Sequence, residues 1–144
     1  MVGLPFRSPD DVDRYLRPLV RDLEVERFHV FCLDARHRLK RCDVVSIGTL
    51  TASLVHPREV FRIAVRESAA AILLAHNHPS GDPTPSVEDA AVTRRLSDAG
   101  RLVGVRVLDH VIVAGGGFYS FREAGRGELD GAPNGSGRAA RSRV

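Results

Sequence analysis

Two histidines one residue apart stand in the stretch Ala75-His76-Asn77-His78-Pro79, and the chain then reaches Ser86-Val87-Glu88-Asp89. In extended backbone, side chains two apart point the same way. His76 and His78 can therefore offer two imidazoles to one point just past the end of a buried strand. Asp89 falls in the first turn of the helix that follows, and the intervening loop can fold that turn back over the strand end. Two imidazoles and a carboxylate are the donor set of a catalytic zinc site, with a fourth position left for water. A bound zinc brings that water's pKa towards neutrality and supplies a nucleophile.

A plainer reading competes. Ser86-x-x-Asp89 resembles a capping box with Asp in place of Glu, in which both residues only start a helix. Under it Asp89 has to choose between cap and cation. The paired histidines beside a Pro-Gly loop are harder to explain by structure alone.

The elements that must hold these residues follow from periodicity. Ser8-Pro9 opens a helix along Val12, Tyr15, Leu16, Leu19, Val20 and Leu23, which Pro18 is expected to kink or shorten. Arg27 to Leu33 reads as a strand, Asp34 to His37 as a turn, and Arg38 to Ile47 as the return strand ending at Gly48. Thr49 to Val55 is ambiguous. His56-Pro57 precedes a second helix. Ala70 to Ala75 is a short apolar run that suits a buried strand. His76 to Pro85, with three prolines and a glycine, is expected to be irregular. Ser86 opens a third helix that stops near Gly100. Val103 to Leu108 and His110 to Ala114 are two strands or one bent strand, and Phe118 to Phe121 is a last one after the triple glycine at 115–117. The mixture gives an α/β class with a single mixed sheet flanked by helices.

Composition narrows the function classes. The 144 residues, 43% hydrophobic and 27% charged, make one soluble globular domain. No apolar run approaches the roughly 20 residues of a membrane span, and no signal peptide stands at the N-terminus. Cys32 and Cys42 are too few for a disulfide scaffold, so a reducing cytoplasm is the expected compartment. The net charge is +3, and only Lys40 of the 21 basic residues is lysine. From Arg126 on, four arginines face Glu128 and Asp130, so two of the three surplus charges lie there. The division expected is a folded domain over 8–123 and a disordered Arg/Gly-rich tail over 124–144, able at most to touch DNA weakly.

His76-x-His78-Pro79 with Ser86-x-x-Asp89 matches the JAMM motif of JAB/MPN metallohydrolases. The string from His76 to Ser86 resembles the RadC family within that group. So do Gly48-Thr49-Leu50, His56-Pro57-Arg58-Glu59-Val60-Phe61 and Val107-Leu108-Asp109-His110. The resemblance covers Ser8 to Glu123 and implies a JAB/MPN, cytidine-deaminase-like architecture. It also implies a zinc-dependent hydrolase of peptide or isopeptide bonds in a family associated by name with DNA repair. Members often carry an N-terminal helix-hairpin-helix that binds DNA, and this chain is expected to lack it.

By the same resemblance His76, His78 and Asp89 are the zinc ligands and Ser86 donates to the oxyanion. The family's general base is a glutamate, expected five residues before Gly48-Thr49, where this sequence has Asp43. Its carboxylate reaches about 1.5 Å less than a glutamate's, and misplacement on that scale can cost ~100-fold in rate. Three outcomes stand open: Asp43 serves as base, Asp43 is too short and the site binds metal with little catalysis, or another carboxylate serves. Glu59 and Glu67 qualify for the last by chemistry alone, although Glu59 suits a pair with a nearby arginine on its own helix.

Smaller readings complete the set. Asp109-His110 either orients a ligand or makes a structural bond to backbone. Asn77 is read as bonding backbone to hold the histidine loop. His29, His37 and His56 have no partners at metal spacing, and Cys42 can lie near the site. The competing functions are a catalytically weak module that contacts protein or DNA, and a phosphodiesterase, for which the bridging carboxylates are lacking.

Overall fold

The computed structural model describes residues 2–129. Helix α1 (Pro9–Val20) starts on a capping box: the Asp11 carboxylate accepts the backbone N–H groups of Arg7 and Ser8 at 2.8 and 3.2 Å. Pro18 does not end it; the helix runs on for two more residues. Strands β1 (Arg27–Leu33) and β2 (Leu39–Ile47) form the expected hairpin. Helix α2 (Pro57–Arg66) leads to β3 (Ala71–His78), and α3 (Val87–Val103) leads to β4 (Arg106–Ala114). Strand β5 (Gly117–Ser120) and the single turn α4 (Phe121–Ala124) follow.

The five strands form one mixed sheet in the order β2-β1-β3-β4-β5. Only β3 and β4 are parallel, so α3 is the crossover that parallel neighbours require. That crossover places the start of α3 at the end of β3, where ligands gather in sheets of this type. Two apolar layers cover the sheet. Val12, Leu16 and Val20 of α1 pack with Phe31, Leu33, Leu73 and Val111 on one face. Val60 and Phe61 of α2 and Val92 and Leu96 of α3 pack with Phe28, Val30, Cys32, Leu74 and Ile112 on the other.

Two expectations are corrected. His76 and His78 lie inside β3 and not beyond it, because the ladder continues: His76 pairs with Phe28 and Ile112, and His78 with Ala114. The irregular segment begins only at Pro79. A tail from 124 also begins too early. Ala124 and Leu129 are buried in the core, and Ser97 donates its hydroxyl to the Leu129 carbonyl. The rest of the expected tail lies outside the described residues. Among the described residues, no helix is long and apolar enough to cross a membrane.

Candidate metal centre

The site is built at the end of β3. His76 and His78 share the strand face that looks towards α3, as their spacing requires, and Asp89 meets them from the first turn of that helix. His76 Nε2 lies 3.1 Å from His78 Nε2 and 3.2 Å from Asp89 Oδ1. His78 Nε2 lies 3.1 Å from Asp89 Oδ2. His76 is fully buried, Asp89 nearly so, and His78 opens to solvent at one edge.

These separations fit a metal. Four donors about 2.0–2.1 Å from one tetrahedral zinc stand roughly 3.3 Å apart along each edge. The donor chemistry agrees. His78 Nδ1 is 2.9 Å from the Asp82 carbonyl, which can only accept, so Nδ1 carries the hydrogen, and in the neutral ring the lone pair of Nε2 faces Asp89. Either a proton on Nε2 or a metal cation between ring and carboxylate satisfies that contact.

Charge follows this geometry. Burial opposes ionisation of Asp89, yet the His76 and His78 imidazoles against its two oxygens hold its carboxyl far below the usual range. Burial also acts to depress the His78 pKa, but the Asp89 carboxylate, the Asp82 carbonyl and the charge of Glu26 raise it overall.

Cap and ligand prove compatible in Asp89. Its Oδ2 accepts the Ser86 N–H at 2.8 Å and its own N–H donates to Ser86 Oγ at 3.0 Å, while both carboxylate oxygens still face the imidazoles. The cap thereby locks the rotamer that a ligand needs. Ser86 stands one helical turn before Asp89 and is exposed, with its own hydroxyl hydrogen uncommitted by this bond.

Glu26 is the carboxylate the sequence reading missed. A ligand atom from each of Glu26, His76 and His78 lies within 4.8 Å of the other two, so the three form a group that could hold a metal ion. Glu26 immediately precedes β1 and lies two residues before Phe28, the partner of His76. Two backbone amides bind it directly. Leu50 N–H donates to Glu26 Oε1 at 3.0 Å, and Gly48 N–H donates to its carbonyl at 2.8 Å. Gly48 has a φ of +113°, which glycine adopts readily, and this reversal aims the Leu50 amide at the carboxylate. Asn77 points to the opposite face from its histidine neighbours, where it accepts from Arg27 N–H at 2.8 Å and donates to Val25 C=O at 3.0 Å. It holds the backbone on both sides of Glu26, and not the histidine loop.

Asp43 is not brought to this group. It pairs with Val30, two residues farther along β1 than the partner of His76 and two strands from β3. Strand rise and spacing put the two Cα atoms roughly 12 Å apart. Its carboxylate accepts from Arg41 Nε at 2.7 Å, beside a cavity of about 70 Å³ lined by Arg41, Asp43, Ile63, Arg66 and Glu67. Glu59 is exposed and 3.5 Å from Arg62 on its own helix, and Glu67 is 3.8 Å from Arg41.

The Asp109-His110 pair divides its work. Asp109 ties β4 to β5 and α4, accepting from Ser120 Oγ, the Arg122 N–H and the His110 N–H at 2.6, 2.9 and 2.7 Å. His110 turns to the site, its Nε2 2.8 Å from His76 Nδ1. Burial holds it neutral. Cys42 lies on the α1 side of the sheet, and burial pushes its thiol up to about 12, so it is no nucleophile at neutral pH.

Comparison with known proteins agrees with this architecture. Residues 6–126 match the family described as the RadC-like JAB domain. This chain belongs to the RadC-like JAB family. It is 57% identical over 118 residues to a UPF0758 protein of Symbiobacterium thermophilum, covering 82% of this chain and 50% of that one. A UPF0758 protein of Pelobacter propionicus is 54% identical over 120 residues, covering 83% and 52%. One from Methanosarcina barkeri is 47% identical over 118 residues, covering 82% and 52%. The chain thus spans about half the length of these curated relatives of the RadC-like JAB domain.

Proposed function

We propose that this RadC-like JAB domain is a zinc-dependent hydrolase of amide bonds, acting on a peptide or isopeptide. The observation that carries this reading is the convergence of His76 Nε2, His78 Nε2 and the Asp89 carboxylate at 3.1–3.2 Å, with Glu26 beside them. His76, His78 and Asp89 would hold the ion. Bound zinc would supply Lewis acidity towards a carbonyl and lower the pKa of its water.

The chain's own residues then have distinct tasks. Glu26 takes the proton of the attacking water and passes it to the departing amine, the two halves of general acid–base catalysis. Leu50 N–H holds one carboxylate oxygen during both transfers. The Ser86 hydroxyl, at the rim, donates to the oxygen on which negative charge develops. Asp43 has no part in this scheme.

The test is metal analysis followed by cleavage of a peptide and isopeptide library. Stoichiometric zinc is expected, with cleavage lost in Glu26→Gln while zinc is retained. Protein that takes up no zinc when it is supplied would overturn the reading.

A further inference from the structure

Behind His76 runs a chain of hydrogen bonds among buried groups that returns to its start. Thr93 Oγ1 lies 2.7 Å from the Asp89 carbonyl and 2.5 Å from His110 Nδ1. His110 Nε2 lies 2.8 Å from His76 Nδ1. His76 Nε2 then faces Asp89 Oδ1 at 3.2 Å. Thr93, His110 and His76 are all fully buried, so water satisfies none of these atoms. Phe28 meets the His110 ring edge-on at 5.5 Å and Phe121 stacks on it at 5.0 Å, which fixes its plane.

The protons in this chain can be placed one by one. The Asp89 carbonyl only accepts, and at 2.7 Å it requires a hydrogen from Thr93. A hydroxyl has one hydrogen, so Thr93 must accept from His110, whose Nδ1 then carries the proton. His110 is fully buried between the Phe28 and Phe121 rings, where a charged imidazole is costly, so it stays neutral and is left with a lone pair on Nε2. That lone pair accepts from His76 Nδ1–H, and His76 is left with a bare Nε2 directed at the site. The reverse order would put a hydrogen on His76 Nε2, where a metal would bind. It would also leave the Thr93 and Asp89 oxygens in contact with no hydrogen between them.

We propose that Thr93 and His110 are positioning residues that hold His76 in the one tautomer able to receive a metal ion. This deepens the zinc reading, because it assigns the ligand's readiness to a hydroxyl on the same helix as Asp89. Thr93 stands four residues after Asp89, so a single turn of α3 supplies one ligand and sets the proton on another. Partners behind metal-bound histidines commonly act in this way.

The test uses imidazole ¹⁵N NMR of the metal-free protein at pH 8, together with zinc affinity by competition with a chromophoric chelator. In the unaltered chain, His76 is expected with its proton on Nδ1 and Nε2 bare. Thr93→Val keeps the side-chain shape but removes the acceptor. It is expected to mix the His76 tautomers and weaken zinc binding about 10–100-fold. Thr93→Ser should restore the tautomer and bind within about threefold of the parent chain. A His76 ring protonated on Nε2 in the unaltered protein, or Thr93→Val binding zinc as tightly as the parent, overturns the proposal. The NMR result stands even if Thr93→Val does not fold. If the parent shows the expected tautomer but takes no zinc, the hydrolase reading fails and the positioning role survives.

Discussion

The Asn77 carboxamide oxygen accepts the Arg27 N–H at 2.8 Å while its amide donates to the Val25 carbonyl, so one side chain grips the backbone on both sides of Glu26. The residue between the two histidines thus braces Glu26 and makes no hydrogen bond to the imidazoles beside it. Asn77→Ala removes two part-buried hydrogen bonds to backbone, at a cost of about 1–3 kcal/mol. Zinc affinity should change by less than about threefold, because His76 and His78 stay on the strand. Turnover should fall by about 10–100-fold, since displacing a catalytic group by an ångström has that effect. Thermal melts, chelator competition and turnover measured on one preparation separate the three.

Glu26 and Asp43 make opposing predictions. Glu26→Gln should reduce amide cleavage about 10²–10⁴-fold, the usual contribution of a general base, and leave zinc bound. Asp43→Asn removes only an exposed pair with Arg41, which solvent screens. Its turnover should match the parent chain. Loss of cleavage in Asp43→Asn, with Glu26→Gln still active, would restore the motif-based assignment.

What the sequence made legible was local. Strand alternation placed His76 and His78 on one face, and the Ser86–Asp89 spacing placed the carboxylate in a first helical turn. Glu26 lies about fifty residues away, and its arrival depends on β1 lying against β3 with Phe28 opposite His76. A single sequence does not encode that pairing. A signal was available all the same: an acid at the head of a strand, in step with Phe28 and Val30, followed at Gly48 by a reversal that returns an amide to it. The prolines and glycine from Pro79 on favour irregular backbone, yet β3 runs through His78 because its ladder continues, on β1 to His76 and on β4 to His78. Cap and ligand looked exclusive for Asp89 only while its two oxygens were counted as one.

The triple glycine anchors the loop behind His78. Gly116 N–H donates to the Gly81 carbonyl at 2.9 Å, and a Cβ on Gly116 would lie 2.8 Å from that oxygen. The loop would have to move, and with it the Asp82 carbonyl that orients His78. Gly116→Ala should therefore weaken zinc binding about 10-fold, within the range for outer partners of a ligand. Gly115→Ala, whose Cβ meets nothing closer than 3.9 Å, should bind as the parent does. Equal affinities in the two variants would show that the loop does not depend on this contact.

Two buried groups give stability opposite slopes against pH. Burial, helped by Arg27 and His76, lowers the His29 pKa to about 4 from 6.5. The unfolded chain binds this proton first, so the stability present above pH 6.5 drains away as the pH falls to 4, by about 3 kcal/mol at 1.36 kcal/mol per unit. Burial raises Asp109 to about 6 from 3.8, against the hydrogen bonds it accepts. Here the folded chain binds the proton first, so stability rises over nearly the same window as the pH falls, by about as much. The metal-free parent should therefore show little net slope from these two groups. His29→Gln removes one of them, and its urea-unfolding free energy should rise relative to the parent as pH drops from 7 to 4. Asp109→Asn keeps an oxygen for the Arg122 and His110 amides, and its free energy should fall relative to the parent over the same range. Parallel pH curves for all three proteins would mean that neither group titrates differently on folding.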